Sequence, residues 1–161
     1  MPTRAHICSQ VSLALVLVLC LPVAVLAVGG GPMPAPTPRP SAPARPSAEA
    51  EYNTGLQAKA AKRFSEAVAD FRRAVDVRPN FPEAWNELGF ALRQIGQYTE
   101  ALKAYDQALR LRPNYPEALE YLGEAYVKLG RTDDARAILE RLRPLDTARA
   151  QQLAEAIRVG K

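Results

Sequence analysis

Apolar residues recur at helical spacing along most of the chain, from about residue 48 onward. In the middle of the chain the apolar positions are Leu88, Leu92, Tyr105, Ala108 and Leu109, with polar residues between them. A period near 3.6 residues is typical of amphipathic helices that bury one face. The pattern therefore predicts an all-α fold with these five side chains in its core.

Helix ends are marked by residues with special backbone or capping chemistry. Gly96 and Gly130 are predicted to end one helix each, and Lys62 occupies the corresponding position earlier in the chain. Pro82 and Pro116 suit the first turn of a helix, where no N–H is needed. The residues predicted to cap the helices after these breaks are Ser65, Thr99 and Asp133. Each is followed by an acidic residue, which the helix dipole favours in the first turn.

The helical pattern repeats with a period of 34 residues. Residues 78–96 and 112–130 share 10 of 19 positions at that offset, and a further step back aligns Gly55 with Gly89. Glycine at 55, 89 and 123, and alanine at 67, 101 and 135, predict close crossings between the two helices of each unit. A fixed period of this length indicates stacked supersecondary units.

The middle unit contains Trp85, Leu88, Gly89, Ala101, Tyr105, Ala108 and Pro113. These residues resemble the tetratricopeptide repeat signature, although Leu92 stands where tyrosine is usual. The resemblance implies a right-handed α-solenoid of three helix-turn-helix units, at residues 48–81, 82–115 and 116–147. Residues 148–161 are expected to form a capping helix over the open end of the stack. Trp85 is expected to pack in its unit.

The first 47 residues have a different composition. Residues 1–27 combine Arg4, an uncharged run and the small residues before a cleavage point after Ala27, which predicts a signal peptide. An uncleaved membrane anchor and a lipid-modified Cys20 are the alternatives. Residues 28–47 are Pro-rich and are expected to form a semi-rigid spacer, or alternatively a ligand for a partner groove. We expect export to the periplasm or cell envelope, with secretion or membrane anchoring as alternatives.

Composition argues against catalysis and cofactor chemistry. His6, Cys8 and Cys20 are the only histidine and cysteines, and all lie in the predicted signal peptide. The remaining chain thus lacks the residues for thiol catalysis, a Ser-His-Asp arrangement or a Cys/His zinc site. We expect no enzyme activity, no cofactor and no metal site. The net charge of +4 comes from interspersed charges, so nucleic-acid binding is not expected.

The resemblance places the first helix of each unit along a concave groove, where a protein or peptide partner is expected to bind. The groove residues that it implies are Tyr52, Leu56, Lys59, Asn86, Phe90, Arg93, Gln94, Glu120, Glu124, Val127 and Lys128. Leu56 and Phe90 predict an apolar patch beside a basic row. The alternative is that the linker or a neighbouring helix covers Phe90.

One ligand class of the resembling proteins is excluded at the sequence level. The subclass that grips the C-terminal carboxylate of chaperones uses Lys and Asn at five groove positions. Here those positions hold Tyr52, Leu56, Glu87, Glu117 and Tyr121, and the two glutamates would repel a carboxylate. The sequence therefore predicts an exported adaptor or scaffold for another partner. A self-associating structural subunit and a membrane-anchored accessory subunit are the alternatives.

Overall fold

The computed structural model describes residues 46–160, and this part of the chain contains seven α-helices and no strands. The predicted signal peptide and nearly all of the predicted linker lie outside these residues. The helices are α1 (Ala48–Ala60), α2 (Phe64–Val77), α3 (Pro82–Gln94), α4 (Tyr98–Leu111), α5 (Pro116–Lys128), α6 (Thr132–Leu142) and α7 (Thr147–Val159). None of these seven helices is long and apolar enough to cross a membrane.

The helices pack as successive pairs. Helix α1 packs on α2, α3 on α4 and α5 on α6, while α2 contacts α3 and α4 contacts α5 to join the pairs. Helix α7 packs on both α5 and α6 at the end of the stack. The prediction of an all-α solenoid with a final helix over the last pair is confirmed. The predicted domain limits at residues 27 and 47 remain predictions.

The core runs between the helices of each pair and continues through the whole stack. Phe71, Tyr105, Leu119, Leu122 and Leu153 are among its largest fully buried side chains. Burial of apolar surface is the main source of stability in such a stack, since no unit covers its own face alone. The sequence-predicted core positions Leu88, Leu92, Tyr105, Ala108 and Leu109 are all buried.

The predicted close crossing between the two helices of a unit is confirmed at Gly55 and Gly89 and is wrong at Gly123. A Cβ placed on Gly55 would lie 2.6 Å from the ring of Phe71, and one on Gly89 would lie 2.6 Å from Tyr105. In the third pair the neighbour is different, because a Cβ on Gly123 would lie 2.5 Å from Leu153 of α7. The final helix thus supplies the side chain that fills this space.

The turns within the pairs confirm one prediction and overturn another. The φ angles of Lys62, Gly96 and Gly130 are all positive, at 58°, 79° and 71°. All three residues therefore occupy the predicted helix-ending position. The predicted caps Ser65, Thr99 and Asp133 are wrong. The second helices begin earlier, with Arg63, Gln97 and Arg131 as N-caps that make no side-chain capping bond.

The physical reason for that error is the tightness of the turn. The N–H of the residue after each positive-φ position bonds back into the preceding helix, as from Arg63 to the carbonyl of Ala58 at 2.9 Å. The same residue then opens the next helix without an intervening loop, so Ser65, Thr99 and Asp133 already lie in the first turn. Backbone geometry therefore takes the place of a capping side chain.

Candidate functional site

The candidate site is the surface shared by α1, α3 and α5, which we call the concave face. Two ion pairs show that these helices lie side by side, and a third joins α5 to α7. Lys59 of α1 contacts Glu87 of α3 at 2.6 Å, and Arg93 of α3 contacts Glu124 of α5 at 2.7 Å. Glu120 of α5 pairs with Arg149 of α7. The first helices of the pairs therefore line one continuous face, as predicted.

Aromatic rings occupy the middle of the concave face. Phe90 is partly buried. The centroid of its ring lies 5.4 Å from that of Tyr121 and 6.3 Å from that of Phe64. The Lys59 ammonium lies 4.9 Å from the centre of the Phe90 ring, and the Arg93 guanidinium lies 5.5 Å from it. Phe90 is thus a partly accessible ring framed by two cations, an arrangement that favours contact with an apolar or aromatic side chain.

A second aromatic cluster lies toward the start of the concave face. The ring centroid of Tyr52 is 4.9 Å from that of Phe81 and 5.7 Å from that of Phe71. Burial, together with the negative charges of Glu87 and Glu83, raises the pKa of Tyr52 to about 12. Its hydroxyl therefore stays protonated well into the alkaline range, where an ordinary tyrosine ionises.

The charges of the concave face are largely paired within the chain. The basic row predicted from Lys59, Arg93 and Lys128 is compensated at two of its three positions, by Glu87 and Glu124. Burial raises the pKa of Glu87 more than the contact with Lys59 lowers it. Glu117 and Lys128 make no ion pair within residues 46–160. The face consequently offers aromatic surface with little excess of either charge.

Most of the predicted groove residues reach the surface. Lys128 and Gln94 are exposed, and the partly buried members are Tyr52, Leu56, Lys59, Phe90, Arg93 and Glu124. Leu56 also packs against the core, so it is less distinct from the core stripe than the sequence predicts. Phe64 and Tyr121 cover part of the Phe90 ring, which agrees in part with the alternative of a covering helix.

Asn86, Glu120 and Val127 are buried, so their expected exposure in the groove is wrong. Glu120 is covered because α7 packs on α5 and brings Arg149 onto its carboxylate. Asn86 is fully buried and neither polar atom of its side chain has a hydrogen-bond partner among residues 46–160. These three side chains therefore offer little accessible surface to a partner.

Two residues that contact the concave face, Phe64 and Arg149, are not among the predicted groove residues. Glu87 and Tyr121 are two of the five groove positions compared with the chaperone-binding subclass, and they share one position of the 34-residue register. Phe64 begins a second helix, and Arg149 belongs to α7 beyond the repeats. No periodic signal identifies Phe64 and Arg149, since their role follows from how neighbouring helices meet.

The described residues offer no clear site for catalysis or metal binding. Residues 46–160 contain neither histidine nor cysteine, and no group of acidic side chains in that part of the chain is arranged to hold a metal ion. Trp85 packs partly buried against the core, and its indole N–H donates to the carbonyl of Pro79 at 2.8 Å. Its packing role is consistent with the sequence prediction.

Comparison with known proteins supports the repeat assignment. A family profile described as TPR repeat matches residues 55–96 and 91–130. No curated protein matches the chain significantly.

Several solved structures are similar to the fold. The second TPR domain of human RPAP3, in complex with the HSP70 peptide SGPTIEEVD, gives a TM-score of 0.66 at 22% identity, covering 69% of this chain and 94% of that one. The yeast Sti1 TPR2B-domain:pHsp70 complex gives 0.67 at 17% identity, covering 71% and 98%. The Arabidopsis OM64 TPR domain gives 0.67 at 17% identity, covering 71% and 97%. At these identities the likeness shows the fold.

Proposed function

The chain belongs to the tetratricopeptide repeat family, and on that basis we propose that it is an adaptor whose concave face binds a peptide or helix of a partner protein. The fold is typical of interaction modules, and the similar domains of human RPAP3 and yeast Sti1 were solved with chaperone peptide or protein partners. Function must still be argued from the site that this chain presents.

The partly accessible Phe90 ring carries the proposal. Its neighbours are Tyr121, Phe64 and the two cations of Lys59 and Arg93, so it lies at the centre of an aromatic surface with a polar rim. Aromatic anchors surrounded by polar residues are typical of the positions that dominate binding energy. An apolar side chain of the partner would stack on this ring.

The partner is expected to differ from an acidic chaperone tail. The RPAP3 structure contains the peptide SGPTIEEVD, which is rich in carboxylates. Here Lys59 and Arg93 are already paired with Glu87 and Glu124, and Glu117 adds a carboxylate without an ion pair within the described residues. A segment with an apolar anchor and few acidic residues fits this face better.

The test is a comparison of three forms of the protein in cross-linking and affinity capture from its native cell. Phe90→Glu should remove a captured partner, because it places a charge in the aromatic cluster. Val77→Glu introduces the same charge at the end of α2, where Val77 is 53% exposed. This variant should keep the partner. Circular dichroism establishes that both variants retain their helices. Capture of the same partner by wild type and Phe90→Glu would refute the concave-face site.

The cellular setting that we propose is the cell envelope, most simply the periplasm, reached through a cleaved signal peptide at residues 1–27. Its support is the sequence pattern alone. The mass of the mature protein tests it, since cleavage after Ala27 removes a defined segment. An intact amino terminus would instead favour a membrane-anchored accessory subunit. Concentration-dependent self-association would favour the alternative of a structural subunit.

A further inference from the structure

A second surface, formed by α2, α3 and α4, has the features of a binding groove. It lies between α2 and α4 with α3 as its floor, and we call it the α2–α4 groove. Its open volume is about 290 Å³. Leu88, Leu92 and Ala104 form its buried apolar floor, and the partly buried Trp85 lines it as well. This surface is formed by residues outside the predicted concave groove.

The rim of the α2–α4 groove is positively charged. Arg72, Lys103 and Arg110 line it and are all exposed. Arg110 donates to the amide oxygen of Gln107 at 2.9 Å, and none of the three cations forms an ion pair with a carboxylate within residues 46–160. Glu100 is the one acidic residue among the lining residues. The lining residues thus comprise three cations and one carboxylate, and Asp106 lies near Arg110 outside the lining. The rim around the apolar floor keeps an excess of positive charge.

The positive rim is specific to this groove and does not follow from the repeat. Adding 34 residues gives the corresponding positions between α4 and α6, where Asp106 replaces Arg72 and Ala137 replaces Lys103. Leu119 stands in the place of Trp85, and Tyr126 in the place of Leu92. The Arg131 guanidinium lies 4.5 Å from the centre of the Tyr126 ring. Pro144 stands in the place of Arg110, so the next unit lacks all three cations and the indole.

We propose that the α2–α4 groove binds an acidic segment of a partner protein through one apolar side chain and flanking carboxylates. The apolar side chain would rest on Leu88 and Leu92 against the Trp85 indole. The carboxylates would pair with Arg72, Lys103 and Arg110, and charge-assisted hydrogen bonds to arginine are among the stronger polar contacts in proteins. Charge complementarity selects this occupant, since a basic segment would be repelled by the rim.

Trp85 provides a direct readout, because it is the single tryptophan of the sequence. The probe is a blocked synthetic peptide of repeated Leu-Glu-Glu-Ala units, titrated into the full chain while indole emission and binding heat are recorded. We expect saturable binding with a change in emission, weakened by added salt. The same peptide with every Glu replaced by Gln should bind at least tenfold more weakly.

Matched variants locate the site. Arg72→Glu/Lys103→Glu should weaken peptide binding at least tenfold, because it reverses two rim charges. Arg136→Glu/Arg158→Glu makes the same change in net charge at exposed positions of α6 and α7, and should bind as wild type does. Circular dichroism checks that each double variant is folded. Equal affinity of the two double variants, or no difference between the Glu and Gln peptides, would overturn the proposal.

Discussion

At the scale of single residues, the stack depends on close approaches between helices. Gly55, Gly89 and Gly123 face Phe71, Tyr105 and Leu153 at distances that leave no room for a methyl group. Tightly packed cores respond to the addition of a single carbon, since neighbouring side chains leave their preferred rotamers. The glycines could be identified from the 34-residue register, which shows their spacing without showing what they face.

Gly89→Ala should destabilise the protein. The added Cβ would lie 2.6 Å from the Tyr105 ring, which is fully buried and cannot move aside. Overpacking costs about 1–3 kcal/mol, and the better helix propensity of alanine offsets about 1 kcal/mol of that. We expect a net loss of up to about 2 kcal/mol in urea unfolding. Gln94→Ala, an exposed change in the same helix, serves as the control. Equal stability of the two variants would mean that the ring adapts without cost.

At the scale of the helices and turns, backbone conformation decides where each helix begins and ends. Positive φ at Lys62, Gly96 and Gly130 closes one helix and opens the next within a few residues. The sequence identifies the ends of the first helices because glycine marks two of these turns. It misplaces the starts of the second helices, because serine, threonine and aspartate suggest caps that the tight turn makes unnecessary.

The Lys62 turn offers a matched pair of substitutions. Lys62→Gly should stabilise the protein by about 0.5–1 kcal/mol, because a side chain in the left-handed region costs about 1–2 kcal/mol and glycine recovers part of it. Gly96→Ala should lose about 1 kcal/mol for the converse reason. A Cβ on Gly96 would meet no atom within 4 Å, so that loss comes from the backbone alone. Thermal unfolding of both variants checks the opposite signs, and shifts in the same direction would contradict the turn geometry.

The concave face was predictable at the level of helices and less so at the level of contacts. The repeat pattern places Tyr52, Lys59, Phe90 and Arg93 on one face, and the structure brings Phe90 together with both cations. Burial of Asn86 follows from how neighbouring helices approach each other, which a linear pattern does not encode. For the same reason, the sequence does not predict which basic and acidic side chains pair across helices.

At the scale of the whole molecule, tyrosines distributed through the stack couple its stability to alkaline pH. Burial raises the pKa of Tyr105 and Tyr115 above the ordinary value of 10.0, and raises that of Tyr52 and Tyr121 to about 12. Between pH 10 and 12 the unfolded chain loses phenolic protons that the native state keeps. The contribution of these groups to stability is therefore complete below pH 10 and decreases as the pH rises.

The urea midpoint should accordingly be lower near pH 11 than near pH 9. Each tyrosine held protonated contributes a slope of up to about 1.4 kcal/mol per pH unit. Tyr105→Phe removes the most buried phenol and should reduce the dependence on pH, which separates the tyrosines from lysine deprotonation. Tyrosinate absorbance gives an independent measure of ionisation. A wild-type midpoint that is constant across this range, or a variant with an unchanged slope, would contradict the expectation.

The contact between Gly123 and Leu153 bears on how such a protein changes its length during evolution. In the first two units an aromatic side chain of the second helix fills the space beside the glycine. In the third unit a side chain of α7 fills it, so the third unit and α7 are fitted to each other. A duplication of residues 82–115 placed ahead of Pro116 would leave that fit intact and would keep an α4–α5 junction before the third unit. We therefore expect longer relatives of this chain to have gained their additional units from the middle of the array.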